Sequence, residues 1–136
     1  MKPIYKNVII CIIILILDAI WIGSNYERYR EAVQWVQDSD MLVRPEYVVL
    51  AYAMVLFATL YVTIPFASHY MLESDTILYK LYKSFIYGGA VGFAIYGIYN
   101  LTSLSIYKNY YYMVALYDTL WGTFLNTAIV FIYTLL

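Results

Sequence analysis

The sequence predicts an all-α fold: a polytopic membrane protein built as an up-down-up-down bundle of four transmembrane helices. Three observations point there. Of the 136 residues, 64% are hydrophobic and only 12% charged, whereas a soluble domain carries roughly 25% charged residues. The apolar residues gather in four runs, each near the roughly 20 residues that a helix needs to cross about 30 Å of hydrocarbon. The 18 tyrosines concentrate at the ends of those runs, where an apolar ring with a polar tip suits the membrane–water interface. Lipid is then the solvent for most of the surface, and the length allows one transmembrane domain over residues 1–136.

The first span is expected at 8–24, interrupted only by Asp18. Lys2 and Lys6 precede it, as in a signal peptide. An aspartate and Trp21 lie inside the run, however, and no small-x-small cleavage site follows, so it reads as a retained span. Cys11, the only cysteine, sits there as lipid-facing or core filler with no partner for a disulfide. Residues 25–44 hold the densest group of charges. Tyr26, Tyr29, Val33 and Val36 recur there at helical spacing, which fits an amphipathic helix on the membrane surface or a continuation of the first span into water.

The second span, 47–68, carries no charge. The following loop holds Glu73, Asp75, Lys80, Lys83 and a lone interfacial His69. The third span is expected at 84–105 and the fourth at 112–136, broken only by Asp118. Alternating spans put Lys2, Lys6, Lys80 and Lys83 on one side and Arg28, Arg30, Arg44 and Lys108 on the other. The positive-inside rule therefore ties, and the free amino terminus favours a cytoplasmic N-terminus for this multi-pass integral membrane protein.

An ionisable residue at membrane depth costs roughly 2.5–3.5 kcal/mol on insertion scales and marks a functional-site candidate. Asp18 and Asp118 each open the same short pattern, Asp18-Ala-Ile-Trp21 and Asp118-Thr-Leu-Trp121, with Gly23 and Gly122 close behind. In the third span Tyr96, Tyr99, Asn100 and Ser103 recur at i, i+3, i+4 and i+7, and Gly88 and Gly92 continue the stripe as a small-xxx-small helix-packing pair. Asp18 lies six residues before the end of its span, Asn100 five before the end of the third, and Asp118 six after the start of the fourth. At about 1.5 Å per residue all three lie roughly 8–9 Å inside the same face. The expected site is one polar cluster for an ion, proton or ligand: Asp18, Asp118 and Asn100, with Tyr96, Tyr99, Thr102, Trp21 and Trp121 around it.

The runs Leu17-Asp18-Ala-Ile-Trp21-Ile-Gly23, Tyr96-Gly97-Ile-Tyr99-Asn100-Leu-Thr102 and Tyr117-Asp118-Thr-Leu-Trp121-Gly122-Thr123 resemble the signatures of domain-of-unknown-function family 2177. These are predicted four-pass membrane proteins of bacteria and large DNA viruses. Pro65-Phe66-Ala67 resembles the family's proline near the end of the second span. The resemblance implies the fold and the motif residues, and no activity. Asn100 and Ser103 stand where the family often has Asp and Asn, which leaves fewer carboxylates in the cluster.

Net charge of −1 gives no basic footprint for nucleic acid, so the expected partners are membrane lipids and further copies of the chain. No Gly-rich phosphate loop, dinucleotide fingerprint or thiol-redox pair occurs, and no cofactor is expected. One histidine cannot build a zinc site, although carboxylates suit Mg²⁺ or Ca²⁺ with waters; the metal question stays open. The leading function is movement of a proton, small cation or polar solute through the intramembrane cluster, by an oligomer with the Gly88/Gly92 face as a contact. Two alternatives stand beside it: a lipid-modifying membrane enzyme or its accessory, and a structural component of a cellular or virion membrane.

Overall fold

A computed structural model describes residues 2–136. Five helices account for almost all of them: α1 (Pro3–Ser24), α2 (Tyr26–Gln37), α3 (Pro45–His69), α4 (Ile77–Ile106) and α5 (Tyr112–Leu135). All except α2 are long and apolar enough to cross a membrane. The face where α1 and α4 end and α5 begins is called the near face below.

Local sequence sets the ends. Pro3 and Pro45 occupy first-turn positions, where a missing N–H costs nothing and a fixed φ favours the helix. Thr76 caps α4 by accepting a hydrogen bond from the Tyr79 N–H at 3.3 Å. That cap explains why α4 begins at Ile77 and not near residue 84. Lys80 and Lys83 discourage a purely apolar span, but a 30-residue helix is about 45 Å long and carries both lysines beyond the hydrocarbon. Pro65 interrupts the hydrogen-bond ladder of α3, and the turn just before it, Thr59–Thr63, widens to π-type geometry. A second wide turn spans Ser84–Gly89 in α4.

α5 is the helix on which the others pack. Ile10 and Ile14 of α1, Ile64 of α3, and Leu125 and Ile129 of α5 form a fully buried apolar cluster, while Ile12, Ile16 and Ile20 of α1 face outward. α4 lies closest to α5. A Cβ placed on Gly92 would run into the Gly122 carbonyl, and one on Gly88 would lie 2.9 Å from the Asn126 carbonyl oxygen. The small-xxx-small pair is therefore consumed inside the chain as the α4–α5 seam. It is not a free face for a second copy, which corrects that part of the sequence expectation.

The segment after α1 forms α2, joined through a kink at Asn25 (φ −113°, ψ 12°). The Asn25 side-chain amide donates to the Trp21 carbonyl at 2.9 Å and closes the end of α1. Tyr29, Val33 and Val36 turn partly inward and Ala32 is buried, whereas Tyr26 is exposed. At the far face, Lys83 pairs with Asp75 at 2.8 Å, and Asp75 also accepts from the Leu72 N–H at 2.8 Å. These two contacts fix the α3–α4 connection and hold the Asp75 carboxyl below the ordinary carboxylate range, the Lys83 hydrogen bond being the main cause.

Candidate functional site

Two carboxylates, one from the first span and one from the last, anchor hydrogen bonds at the α1–α5 contact. The repeated Asp-x-x-Trp pattern puts an acid and an indole on one face of each helix. Because the two helices run antiparallel, each tryptophan comes level with the other helix's aspartate. Trp121 Nε1–H donates to Asp18 Oδ1 at 2.8 Å. Trp21 Nε1–H donates to the Tyr29 hydroxyl at 2.9 Å, and that hydroxyl donates to Asp118 Oδ1 at 2.8 Å. Between these crossed bonds the two indoles stack in parallel with centroids 4.7 Å apart, a geometry that adds roughly 0.5–1.5 kcal/mol beyond burial.

The second oxygen of Asp118 belongs to α4. Asn100 Nδ2 donates to Asp118 Oδ2 at 2.7 Å and to the Tyr96 carbonyl at 2.9 Å, and Asn100 Oδ1 accepts from the Tyr110 hydroxyl at 2.9 Å. Asp118 thus collects bonds from α2 and α4, and through Asn100 from the α4–α5 loop. Asp18 is buried beside Trp121 and close to the Tyr52 hydroxyl of α3. The arrangement has two hydrogen-bonded nodes joined by the tryptophan pair, and Asn100 bonds directly to the Asp118 node.

Tyr96 lays its ring over Gly122, where no Cβ would fit, and stands close to both aspartates. Tyr99 and Thr102 do not join the site: both are exposed on the outside of α4. Consecutive helical residues point about 100° apart, so turning Asn100 inward carries Tyr99 outward. Ser103 stays buried but bonds back to the Tyr99 carbonyl at 2.9 Å within its own helix.

Tyr29, Tyr110 and Tyr52 are site residues that sequence reasoning left among the interfacial or unexplained tyrosines. Burial, reinforced by the Asp118 carboxylate, raises the Tyr29 hydroxyl above the ordinary tyrosine range. Burial is also the main cause that pushes Tyr110 up to about 12. Both hydroxyls keep their protons at neutral pH and act as donors. A further buried polar pair lies deeper, where Thr63 Oγ1 donates to Asn126 Oδ1 at 3.2 Å and Asn126 Nδ2 donates to the Gly122 carbonyl at 2.9 Å. Among the described residues, no three His, Cys, Asp or Glu side chains converge as a set of metal ligands.

The spans, the crossed motifs and the α4 stripe coincide with what a family model recognises: the model of the predicted membrane protein family DUF2177 matches residues 4–135. The chain belongs to this family. The match covers every helix that contributes to the two carboxylate nodes. No curated protein and no solved structure matches the chain.

Proposed function

We propose that this protein takes up a proton or small cation at the Asp118 and Asp18 nodes and moves it within the membrane. The observation that carries the reading is the continuous hydrogen-bonded line from Tyr110, outside the spans, through Asn100 to Asp118, with Tyr29 arriving from α2 on the other side. Intramembrane carboxylates turned toward a bundle interior are typical of proton and ion pathways. Here the groups bonded to the carboxylate reach back toward one membrane face. Toward the other face lies the apolar cluster of Ile10, Ile14, Ile64, Leu125 and Ile129, interrupted by the buried Thr63–Asn126 pair. Exchange is accordingly assigned to the near face, and full passage requires this cluster to part or a further copy to complete the route.

The test is proton flux in proteoliposomes driven by a potassium diffusion potential and followed with an entrapped pH dye. Wild-type protein should acidify or alkalinise the lumen according to the sign of the potential, and Asp118→Asn should abolish the signal. Flux equal to that of empty liposomes, or a variant indistinguishable from wild type, defeats the reading.

A second reading has its own support. Among the described residues, every buried side-chain nitrogen or oxygen has a hydrogen-bond partner, as a lock between helices requires. On that reading Asp118→Asn loses stability in detergent and has no flux to lose.

A further inference from the structure

The half-buried Asp118 is bonded on the near-face side by a helix that is attached to the bundle through few groups. α2 follows α1 across the non-helical Asn25, and Ala32 is its buried residue. Besides Ala32 and the half-buried Val33 and Val36, its inward hold consists of the Tyr29 hydroxyl on Asp118 Oδ1 (2.8 Å), the Trp21 indole N–H on that same hydroxyl (2.9 Å), and the Arg28 guanidinium over the Tyr117 ring at 4.7 Å. Arg28 also donates to Asn25 Oδ1 at 2.9 Å, so the kink is braced by the same residue that stacks on α5. Beyond Asp38, in the left-handed conformation, the chain runs without helix to Arg44, long enough to let α2 tilt while α3 stays in place.

From this geometry we propose that α2 is a hinged lid over the carboxylates, turning at Asn25 and latched by Tyr29. The inference rests on the exchange-site reading for its purpose, since a lid matters where something must enter. Its mechanics stand on the contacts alone. A segment held by a hydroxyl–carboxylate bond and a cation–π stack, with little apolar burial, opens by exchanging those polar contacts for water at the membrane surface. Opening uncovers the Asp118 oxygen that Tyr29 occupies and leaves Asn100 on the other. A group entering from the near face thus meets a carboxylate already oriented from α4.

The experiment uses the full chain in lipid nanodiscs, with nitroxide labels on Glu31→Cys in α2 and Leu72→Cys at the far face, in a Cys11→Ser background. Pulsed electron resonance reads the distance between them. The latched protein should give one narrow distribution. Tyr29→Phe keeps the ring and removes the hydroxyl, and loss of a charge-assisted bond shifts the open-to-closed ratio by roughly tenfold or more, so its distribution should broaden and move. An unchanged distribution in Tyr29→Phe overturns the latch. Paired with the flux assay, the two ideas separate. If Asp118→Asn loses flux while Tyr29→Phe leaves α2 in place, the lid is wrong and the exchange site stands. If Tyr29→Phe frees α2 while Asp118→Asn conducts like wild type, the lid stands and the exchange site is wrong.

Discussion

Replacing each aspartate by asparagine should have unequal effects, although the two sit in matching motifs. Asp118 accepts at both oxygens, from Tyr29 and from Asn100. Asparagine keeps the shape but turns one acceptor into a donor. In one amide orientation its NH₂ faces the Asn100 NH₂, donor against donor. In the other it faces the Tyr29 hydroxyl, which already accepts from Trp21, and the hydroxyl proton loses its acceptor. Either way one donor goes unpaired, at a cost of about 1–3 kcal/mol. Asp18 accepts from Trp121 at a single oxygen, so an asparagine there can keep its carbonyl on the indole and offer its NH₂ to the Tyr52 hydroxyl. That change should cost less than about 1 kcal/mol. Reversible unfolding in mixed micelles, followed by tryptophan fluorescence, measures both, because Trp21 and Trp121 are the stacked pair. Equal losses, or a larger loss for Asp18→Asn, would refute the bonding pattern from which the difference is derived.

Three further outcomes follow from other contacts. Gly92→Ala and Gly122→Ala should each destabilise by about 1–3 kcal/mol, because the added methyl meets the Gly122 carbonyl in one case and the Tyr96 ring in the other; Gly23→Ala, with nothing within 4 Å, should be neutral or slightly stabilising by thermal melting in detergent. The Tyr110 bond to Asn100 needs a neutral phenol, and its value is raised to about 12 from 10.0. Its contribution is therefore complete below pH 10 and is lost as pH rises through about 12; hydrogen exchange at the α4–α5 loop should show this loss, and Tyr110→Phe should remove the pH dependence. Asp75 lies below its unfolded value, so its pairing with Lys83 contributes above the ordinary carboxylate range and fades as pH falls through the depressed value. Lys83→Gln should loosen exchange in residues 70–76 at neutral pH and make little difference in strong acid.

Much of this was legible in the chain itself, for physical reasons that differ by residue. The spans follow from the cost of exposing polar backbone to lipid, which permits little besides long apolar helices. The common depth of Asp18, Asp118 and Asn100 follows from helical rise counted along antiparallel spans. What the sequence left undetermined was direction around each helix. A stripe at i, i+3, i+4 and i+7 is wide enough to include Tyr99, and only packing against α5 decides that Asn100 faces in and Tyr99 out. Tyr29 and Tyr110 were hidden for another reason: a tyrosine at a span end has a sufficient explanation in the interface, so nothing local distinguishes a belt residue from a ligand of Asp118. Tyr29 lies eight residues beyond Trp21, and only the kink at Asn25 lets the two meet.

The origin of those donors bears on whether the carboxylates serve packing or exchange. A lock between helices needs donors from the spans it joins, and Asp18 has that pattern, with Trp121 donating directly from α5. Asp118 is different. One of its two bonds comes from α2, and the other comes from an asparagine held by a tyrosine of the α4–α5 loop. These outer segments are the parts of a membrane protein with the least lipid-enforced structure, and the half-buried Asp118 draws one of its two bonds directly from them and the other from a span residue that the loop holds. Tying Asp118 to two surface segments makes its environment respond to whatever moves those segments. On the opposite side lie the apolar cluster and the Thr63–Asn126 pair, which join the spans directly. On the proposed reading exchange proceeds from the near face, so Asp118→Asn is the more direct test of it and Asp18→Asn tests the second node.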